Sequence, residues 1–376
     1  MSLREYLATD FTNWSLGPYH PALPGPMMLR LQLDGEIIVS GETEAGFLHR
    51  GLEKALERHS WQSSLTYADR LDPESAIFGE LAVCLAAEEI AGIDVPRRAQ
   101  NIRVILSELT RISSHLGFLA RMAKAVGSTP MFHYVLRDRE RVLDLFELLT
   151  GARFSINFLR LGGVSADVTE GFIERVIDVC ELIRIRLKEY NDLFSFNHAF
   201  LKRSSWIGVL SSERARALGV TGPNARAAGL SLDVRKSAPY SGYELIDFEI
   251  PVGRGEGGTI GDAHDRFVLR LREITQSLEI LKQSVDSIPA GQFQSVKISR
   301  EFTIAPGEAY SRVESPRGTL GCHLVSDGGT RPARVQFKTP STGHMLTIPE
   351  LVIGTRVEDI SVILLSLDIS LAEFDR

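Results

Sequence analysis

A carboxylate, a guanidinium and an imidazole stand in one row at Glu108, Arg111 and His115. They fall within VPRRAQNIRVILSELTRISSHLGFLA, where Ile105, Leu109, Ile112, Leu116 and Leu119 recur every three or four residues and therefore share one helical face. The three polar groups lie on the flank of that apolar stripe. At the edge of a buried face they must satisfy one another or something that docks there. Two readings stay open: an ion-paired helix packed on its neighbour, or the wall of a reaction site. His20 sits in GPYHPALPG, whose prolines and glycines deny the backbone a long regular element. That segment is either a plain loop or a rigid wall of a cavity.

Other chemistries find little support. Cys84, Cys180 and Cys322 are far apart and none belongs to a CxxC pair, so each is expected as a small buried core residue rather than a metal or cluster ligand. There is no GxGxxG opening a dinucleotide-binding unit, no GxxxxGK[ST] loop and no HExxH. GRGEGGTIGD is glycine-rich but lacks the lysine and the strand-to-helix context, and is expected to be a flexible loop. A formal charge of −6 argues against a nucleic-acid partner, which would need a concentrated basic field. No apolar run approaches the roughly 20 residues that cross a bilayer, and MSLREYLATDF carries no apolar signal core. The expectation is a cytoplasmic protein whose membrane association goes through partners.

The elements that would position these residues can be read in order. LRLQLDGEIIVSG predicts a hairpin about Asp34-Gly35. GFLHRGLEKALERHSWQSS predicts a helix with His49, Arg50 and Glu53 near its start. Tyr67–Ala120 predicts two amphipathic helices joined at a proline, with Pro96 at the second helix start and Asp94 suited to cap it. Two further helical runs follow, after GSTPMF and after ADVTEG. Residues 217–253 read as short β-like pieces among glycines and prolines. A helix capped by Asp262 or Asp265 comes next, then two strands about an Asp-Gly-Gly turn, and a last helix running into a polar tail. The fold class is α+β: a β-containing portion over 1–60, a helical bundle over 61–205, and a mixed portion over 206–376 completing one interlocked unit.

Seven blocks carry more than periodicity: GPYHP, GFLHRGLEK, VPRRAQNIRVILSELTRISSHL, TGARF with LGG after it, GLSLDVRKSAPYSGYE, SPRGTLGCHLVSDGG and SLDISLAEFDR. In this order they resemble the superfamily that holds the 49-kilodalton (D) subunit of respiratory complex I and the large subunits of energy-converting nickel-iron hydrogenases. The resemblance covers nearly the whole chain and implies a hydrogenase large-subunit-like fold. Its departures are informative. The positions of the four hydrogenase cysteines correspond to Asp72, Ser75, Ser370 and Glu373, and four oxygen-bearing side chains cannot replace thiolates for a soft metal pair. Hydrogen activation is not expected. The complex I positions held to contact quinone correspond to Pro24, Pro73 and Ala125, which offer no proton. The histidine that many complex I members place near the terminal iron-sulfur cluster corresponds to Ser155, and PYHPALPGP is more similar to the membrane-bound hydrogenase branch.

The resemblance implies a D-like component of a membrane-associated, ion-translocating NADH-quinone oxidoreductase or hydrogenase-related complex, lying peripherally on the cytoplasmic face of the cell membrane. The chain would bind no cofactor itself. A four-iron four-sulfur cluster would lie in an iron-sulfur small subunit, alongside further hydrophilic electron-transfer subunits and antiporter-like membrane subunits. An acceptor, quinone or other, would be reduced in the cavity between the two chains. His20 and Asp72 are then the candidates for a proton route, and Arg50, Arg111 and His115 for groups facing the cluster or acceptor. The alternative is a non-catalytic subunit whose altered cavity couples electron transfer to the membrane subunits.

Overall fold

The structure, a computed structural model, describes residues 11–299 and 301–376; the N-terminal stretch read above for a signal core lies, but for Phe11, outside them. Strands β1 (Thr12–Leu16), β2 (Met28–Asp34) and β3 (Ile37–Glu44) form an antiparallel sheet in sequence order. The expected hairpin is present, with Gly35 in the left-handed region (φ 61°) where the turn requires it. Leu29, Leu31 and Ile38 point inward and are buried, while Arg30 and Gln32 alternate outward.

Helices α1 (Leu52–Arg58) and α2 (Trp61–Ala68) lead through a 3₁₀ turn at Pro73–Ser75 into α3 (Ala76–Ala91) and α4 (Arg97–Ala125). Here the amphipathic expectation needs correction. α3 is buried on most sides, with Glu80 and Glu88 enclosed among its apolar residues, because α4 covers one face and the C-terminal sheet another, and every residue of α4 from Ile102 to Ala120 is buried. α4 does begin directly after Pro96, but no side chain caps it, so Asp94 is not the cap. α5 (Thr129–Thr150), the short pair β4 (Leu159–Arg160) and β5 (Gly163–Val164), and α6 (Phe172–Tyr190) follow; α4 packs against α5 and α11 (Ala263–Asp286) as the axis of the bundle. Between α6 and α11 lie the short helices α7 (His198–Ser204), α8 (Ser212–Ala217), α9 (Gly222–Ala227) and α10 (Val234–Ser237), of which α9 and α10 stand where β-like pieces were expected over 217–253. Local capping makes them possible, as where the Asp233 carboxylate accepts from the Arg235 amide at 2.9 Å. Asp262 is the cap of α11. Residues 254–261 are not a loose loop: Asp262 and Asp265 accept from the amides of Thr259, Arg254 and Gly261.

The second sheet has a strand more than expected, β6 (Gly307–Ser315), beside β7 (Gly318–Ser326) and β8 (Arg334–Lys338). The chain closes with α12 (Pro340–Val352), α13 (Ile360–Ser366) and α14 (Leu371–Asp375). The last two replace the single final helix; the break falls at Leu367–Ser370, where Asp368 takes φ 53°. Nor is the tail polar in the sense expected, since Glu373 and Asp375 are buried. The Asp375 carboxylate accepts from the amides of Gly46 and Leu48, both at 2.8 Å. One apolar core fills the bundle and the second sheet, and another lies between the first sheet and α12–α14. Among the described residues no helix is long and apolar enough to cross a membrane, and the three cysteines are buried thiols.

Candidate functional site

A cavity of about 240 Å³ opens where separated stretches of chain converge. The loop Pro24–Pro26 and Leu48 form one side, and Asp72-Pro73-Glu74, between α2 and α3, form another. Arg121 comes from α4, Arg317 from the β6–β7 turn, Leu365 from α13, and Asp368–Ala372 from the following break and the start of α14. Gly79 lets α3 press against the Ala68 carbonyl, with no room there for a Cβ, which fixes the turn that carries Asp72.

The charges are closely interlocked. Arg317 bonds Asp72, donates to Glu74 at 2.9 Å and to the Asp368 carbonyl at 3.0 Å. Arg121 donates to both Glu74 and Asp368 at 2.7 Å. Asp72 also accepts from the hydroxyls of Ser75 and, at 3.0 Å, Ser370. Burial disfavours each of these charges, yet Arg317, Arg121 and Arg270 outweigh it at Asp368 and hold that carboxyl well below its ordinary range. Glu373 has no arginine within salt-bridge distance: its carboxylate accepts from the Ser341 amide at 3.1 Å, and burial, reinforced by Asp72 and opposed by the more distant Arg317, pushes it up to about 7.

Of the residues singled out in the sequence, Asp72 lines this cavity. Arg50 is exposed and does not line it; its guanidinium donates to the carbonyls of Arg70 (2.6 Å) and Ala372 (2.9 Å), so that it ties the end of α2 to α14. His20 is exposed on the outer side of the Pro18–Pro26 loop, where its Nδ1 accepts from the Ala22 amide at 3.2 Å; it does not reach the cavity. Arg111 and His115 also require correction: neither faces an acceptor or a partner, because both are fully enclosed by this chain's own side chains. Arg111 donates to Glu108 at 3.2 Å and to the Glu314 carbonyl at 2.6 Å. His115 Nε2 bonds Glu273 at 2.9 Å, and burial lowers its pKa against the pull of that carboxylate. Arg226 joins Glu273 and Glu314, both at 2.7 Å, and Arg235 joins Asp233 at 2.7 Å and Glu108 at 3.1 Å. The row read as a flank is thus the middle of a sealed network.

Arg317, Arg121, Asp368 and Glu373 were not singled out in the sequence as a group. Arg317 was within reach, since it sits in the block SPRGTLG, and Asp368 and Glu373 belong to SLDISLAEFDR. The four positions corresponding to hydrogenase cysteines do converge: Asp72 bonds Ser75 and Ser370, and Ser341 links Ser370 to Glu373. Their donors are oxygens, and Arg317 already occupies Asp72, so the set does not fit a soft metal pair. Among the described residues no group of three His, Cys, Asp or Glu side chains is placed to hold a metal ion. Pro24 and Pro73 form part of the cavity wall. On the far side of Pro73-Glu74 a shallow surface groove holds Ser155 and Phe154, with Arg139 5.4 Å over the half-exposed Phe154 ring.

Residues 125–300 and 292–376 match the family model described as respiratory-chain NADH dehydrogenase, 49 Kd subunit. The chain is 40% identical over 361 residues to the D subunit of the NADH-quinone oxidoreductase of Desulforamulus reducens, spanning 96% of this chain and 97% of that protein. It is 41% identical over 369 residues to the D subunit of the same oxidoreductase from Carboxydothermus hydrogenoformans, spanning 98% and 100%. Among solved structures, a chain of the membrane-bound sulfane sulfur reductase, an archaeal respiratory membrane complex, superposes with a TM-score of 0.93 at 35% identity, covering 98% of this chain and all of that one.

Proposed function

Because the chain belongs to the family of the 49 Kd subunit of respiratory-chain NADH dehydrogenase, we propose that it forms one wall of the chamber in which its complex reduces the final electron acceptor. The observation that carries this reading is the cavity at Asp72, enclosed by charged groups on this chain and separated by a single turn from the groove at Ser155. In the proposal that groove receives an iron-sulfur small subunit, which brings a four-iron four-sulfur cluster within electron-transfer reach of the cavity. Further hydrophilic subunits feed the cluster, and antiporter-like membrane subunits respond to the chemistry from the membrane side, with this chain peripheral on the cytoplasmic face.

The residues of this chain have distinct parts. Arg317 and Arg121 supply positive charge at the cavity wall and stabilise negative charge as it develops on the acceptor. Asp72 is placed to hand over a proton, its orientation set by Arg317, Ser75 and Ser370. Arg50 ties the end of α2 to α14, while Arg111 and His115 serve from behind, holding α4 in place. The nickel-iron chemistry of the hydrogenase branch is excluded from this reading by the oxygen donors. The acceptor in this reading is a quinone head group or a short sulfur chain, either of which gains negative charge on reduction and so suits a wall that carries Arg121 and Arg317.

The test is turnover of the purified complex with several quinones and with polysulfide, comparing the unmodified chain with Asp72→Asn and Arg317→Lys. Loss of about 100-fold or more in Asp72→Asn with the complex intact is expected. Unchanged turnover in both variants, with every acceptor, favours the second reading. In that reading the chain is a coupling subunit, which the mutual neutralisation of Arg121, Arg317, Asp72, Glu74 and Asp368 also supports.

A further inference from the structure

The charge balance of the cavity wall singles out one group. Four carboxyls, Asp72, Glu74, Asp368 and Glu373, stand with the guanidiniums of Arg121, Arg317 and Arg270, while Arg139 acts on Glu74 from the side of the outer groove. The charges are not shared evenly among these carboxyls, and Asp72, Asp368 and Glu373 are almost fully buried. Burying an uncompensated carboxylate is unfavourable enough that the group takes up a proton instead. The sealed network behind sets Glu108, Asp233, Glu273 and Glu314 against Arg111, Arg226 and Arg235. There, however, each carboxyl has an arginine within 3.2 Å. At the cavity Asp72, Glu74 and Asp368 likewise each hold an arginine. Glu373 is the one carboxyl of the eight with none, and its carboxylate has a single amide donor from Ser341.

We propose that Glu373 stores a proton beside the cavity and passes it to Asp72 through the hydroxyls of Ser341 and Ser370. The contacts run in order: the Ser341 amide donates to Glu373 at 3.1 Å, the Ser370 amide donates to the Ser341 hydroxyl at 3.0 Å, and the Ser370 hydroxyl donates to Asp72 at 3.0 Å, so in the proposal the path closes when the Ser341 O–H turns toward the Ser370 hydroxyl oxygen. In the transfer the O–H bond of Glu373 breaks, an O–H bond forms on Asp72, and no electron moves. Asp72 then gives that proton to the acceptor as electrons reach it from the partner's cluster, and Glu373 is refilled from solvent between turnovers. This last step rests on the reading of the cavity as the reduction chamber.

The groups around Glu373 are consistent with this part. From α12, His344 is fully buried and held down to about 4 by burial, so it is neutral when Glu373 is protonated and does not compete for the proton. From the β6–β7 turn, Arg317 is committed to Asp72 and Glu74. From the break before α14, Asp368 is committed to Arg121, with Arg270 3.9 Å away. On its own helix, Asp375 is bonded to the backbone of Gly46 and Leu48, and Arg376 turns away to Glu53 at 3.0 Å. The value of about 7 for Glu373, caused by burial and by Asp72, places its exchange in the neutral range.

Infrared spectra of the purified complex across pH test the stored proton directly. A protonated-carboxyl band present at about pH 6 and gone by about pH 8.5 is expected, absent in Glu373→Gln and shifted in frequency in Ser341→Ala. No titrating band in the unmodified complex, or a band untouched by Ser341→Ala, overturns the proposal even if Glu373→Gln does not assemble. For the transfer, Glu373→Gln should lower turnover about 100-fold and abolish the decline of rate above neutral pH, with Glu373→Asp restoring part of both. A Glu373→Gln complex with the unmodified rate and pH profile overturns the relay. Should the band behave as expected while Asp72→Asn and Glu373→Gln both turn over normally, the chamber reading fails and the stored proton stands.

Discussion

The two arginine–carboxylate networks use the same side chains for different ends. Around α4, Glu108 accepts from Arg111, Arg235, the Tyr243 hydroxyl at 2.6 Å and the Ser277 hydroxyl at 2.6 Å, and none of this touches solvent. At the cavity, Arg317 and Arg121 bridge three carboxylates along an open wall, and Arg121 retains 30% of its side-chain exposure. A sealed network with every member bonded holds helices in register, because breaking one pair strands a charge that water cannot reach. The open one is cheaper to disturb, since water can enter where a partner is lost. Removing a charge should therefore be felt as folding in the first network and as chemistry in the second.

The largest effect is expected from Arg226→Ala, which strips Glu273 and Glu314 of their cation inside the sealed network. A loss of about 3–5 kcal/mol is a large share of the roughly 5–15 kcal/mol that holds an ordinary domain folded. Thermal melting should show a drop of many degrees or no recoverable folded chain. Next comes Arg317→Ala, about 2–3 kcal/mol in stability because water reaches Asp72 and Glu74, but with turnover lost in protein that is still folded. If Arg317→Ala proves the more destabilising of the two, the contrast between the networks is reversed.

Acid sharpens the same contrast. Against burial, Arg111 and Arg235 hold the Glu108 carboxyl down to about 2. Its folded pKa lies below the unfolded one, so the unfolded chain binds more protons in the window between about 4.5 and about 2. The stability it supplies is fully present above about pH 4.5 and is lost as pH falls through that window. Glu108→Gln should lower stability at neutral pH and flatten this acid-dependent part of the unfolding curve; an equally steep acid limb in the variant would locate that linkage elsewhere. The smallest effect is expected from His20→Ala, within about 0.5 kcal/mol in melting and with turnover near that of the unmodified chain, since the imidazole only caps an exposed turn. Turnover in His20→Ala as low as in Asp72→Asn would move the chemistry from the cavity to the outer loop.

Much of the framework was legible before the structure, and the reasons for the exceptions are physical. The 3.6-residue period gave α4, α5, α6 and α11, and Asp-Gly gave the first hairpin. Periodicity reports which face of a helix is apolar but not what covers the other face, so α3 and α4 were read as half-exposed. The spacing of Glu108 and Arg111 placed them side by side; it held no information on Arg235 and Tyr243, which arrive from 127 and 135 positions away to complete the enclosure. Among its charged members the cavity was legible at Asp72, with Glu373 marked only as the counterpart of a hydrogenase cysteine. Arg121, Arg317, Asp368 and Glu373 are ordinary surface-type residues in sequence and become a site only when α4, the β6–β7 turn and the break before α14 meet. The short helices α8–α10 were missed because their starts depend on turns and caps rather than on an apolar stripe.

The seam between the first sheet and the last helices bears on how the chain reaches this state. Ile38 exchanges backbone hydrogen bonds with Thr355 and Gly354, at 3.0 and 2.8 Å, and Ile37 is bridged to Arg356. Contacts of such sequence separation raise the contact order, because the entropy of closing a loop of some 300 residues must be met before they form. The helical bundle, built from neighbouring segments, can assemble first and the seam last. The cavity wall draws on residues 24–26, 365 and 368–372, so the cavity comes into being only at that final closure. A partner that docks across it thereby selects finished chains over partly folded ones.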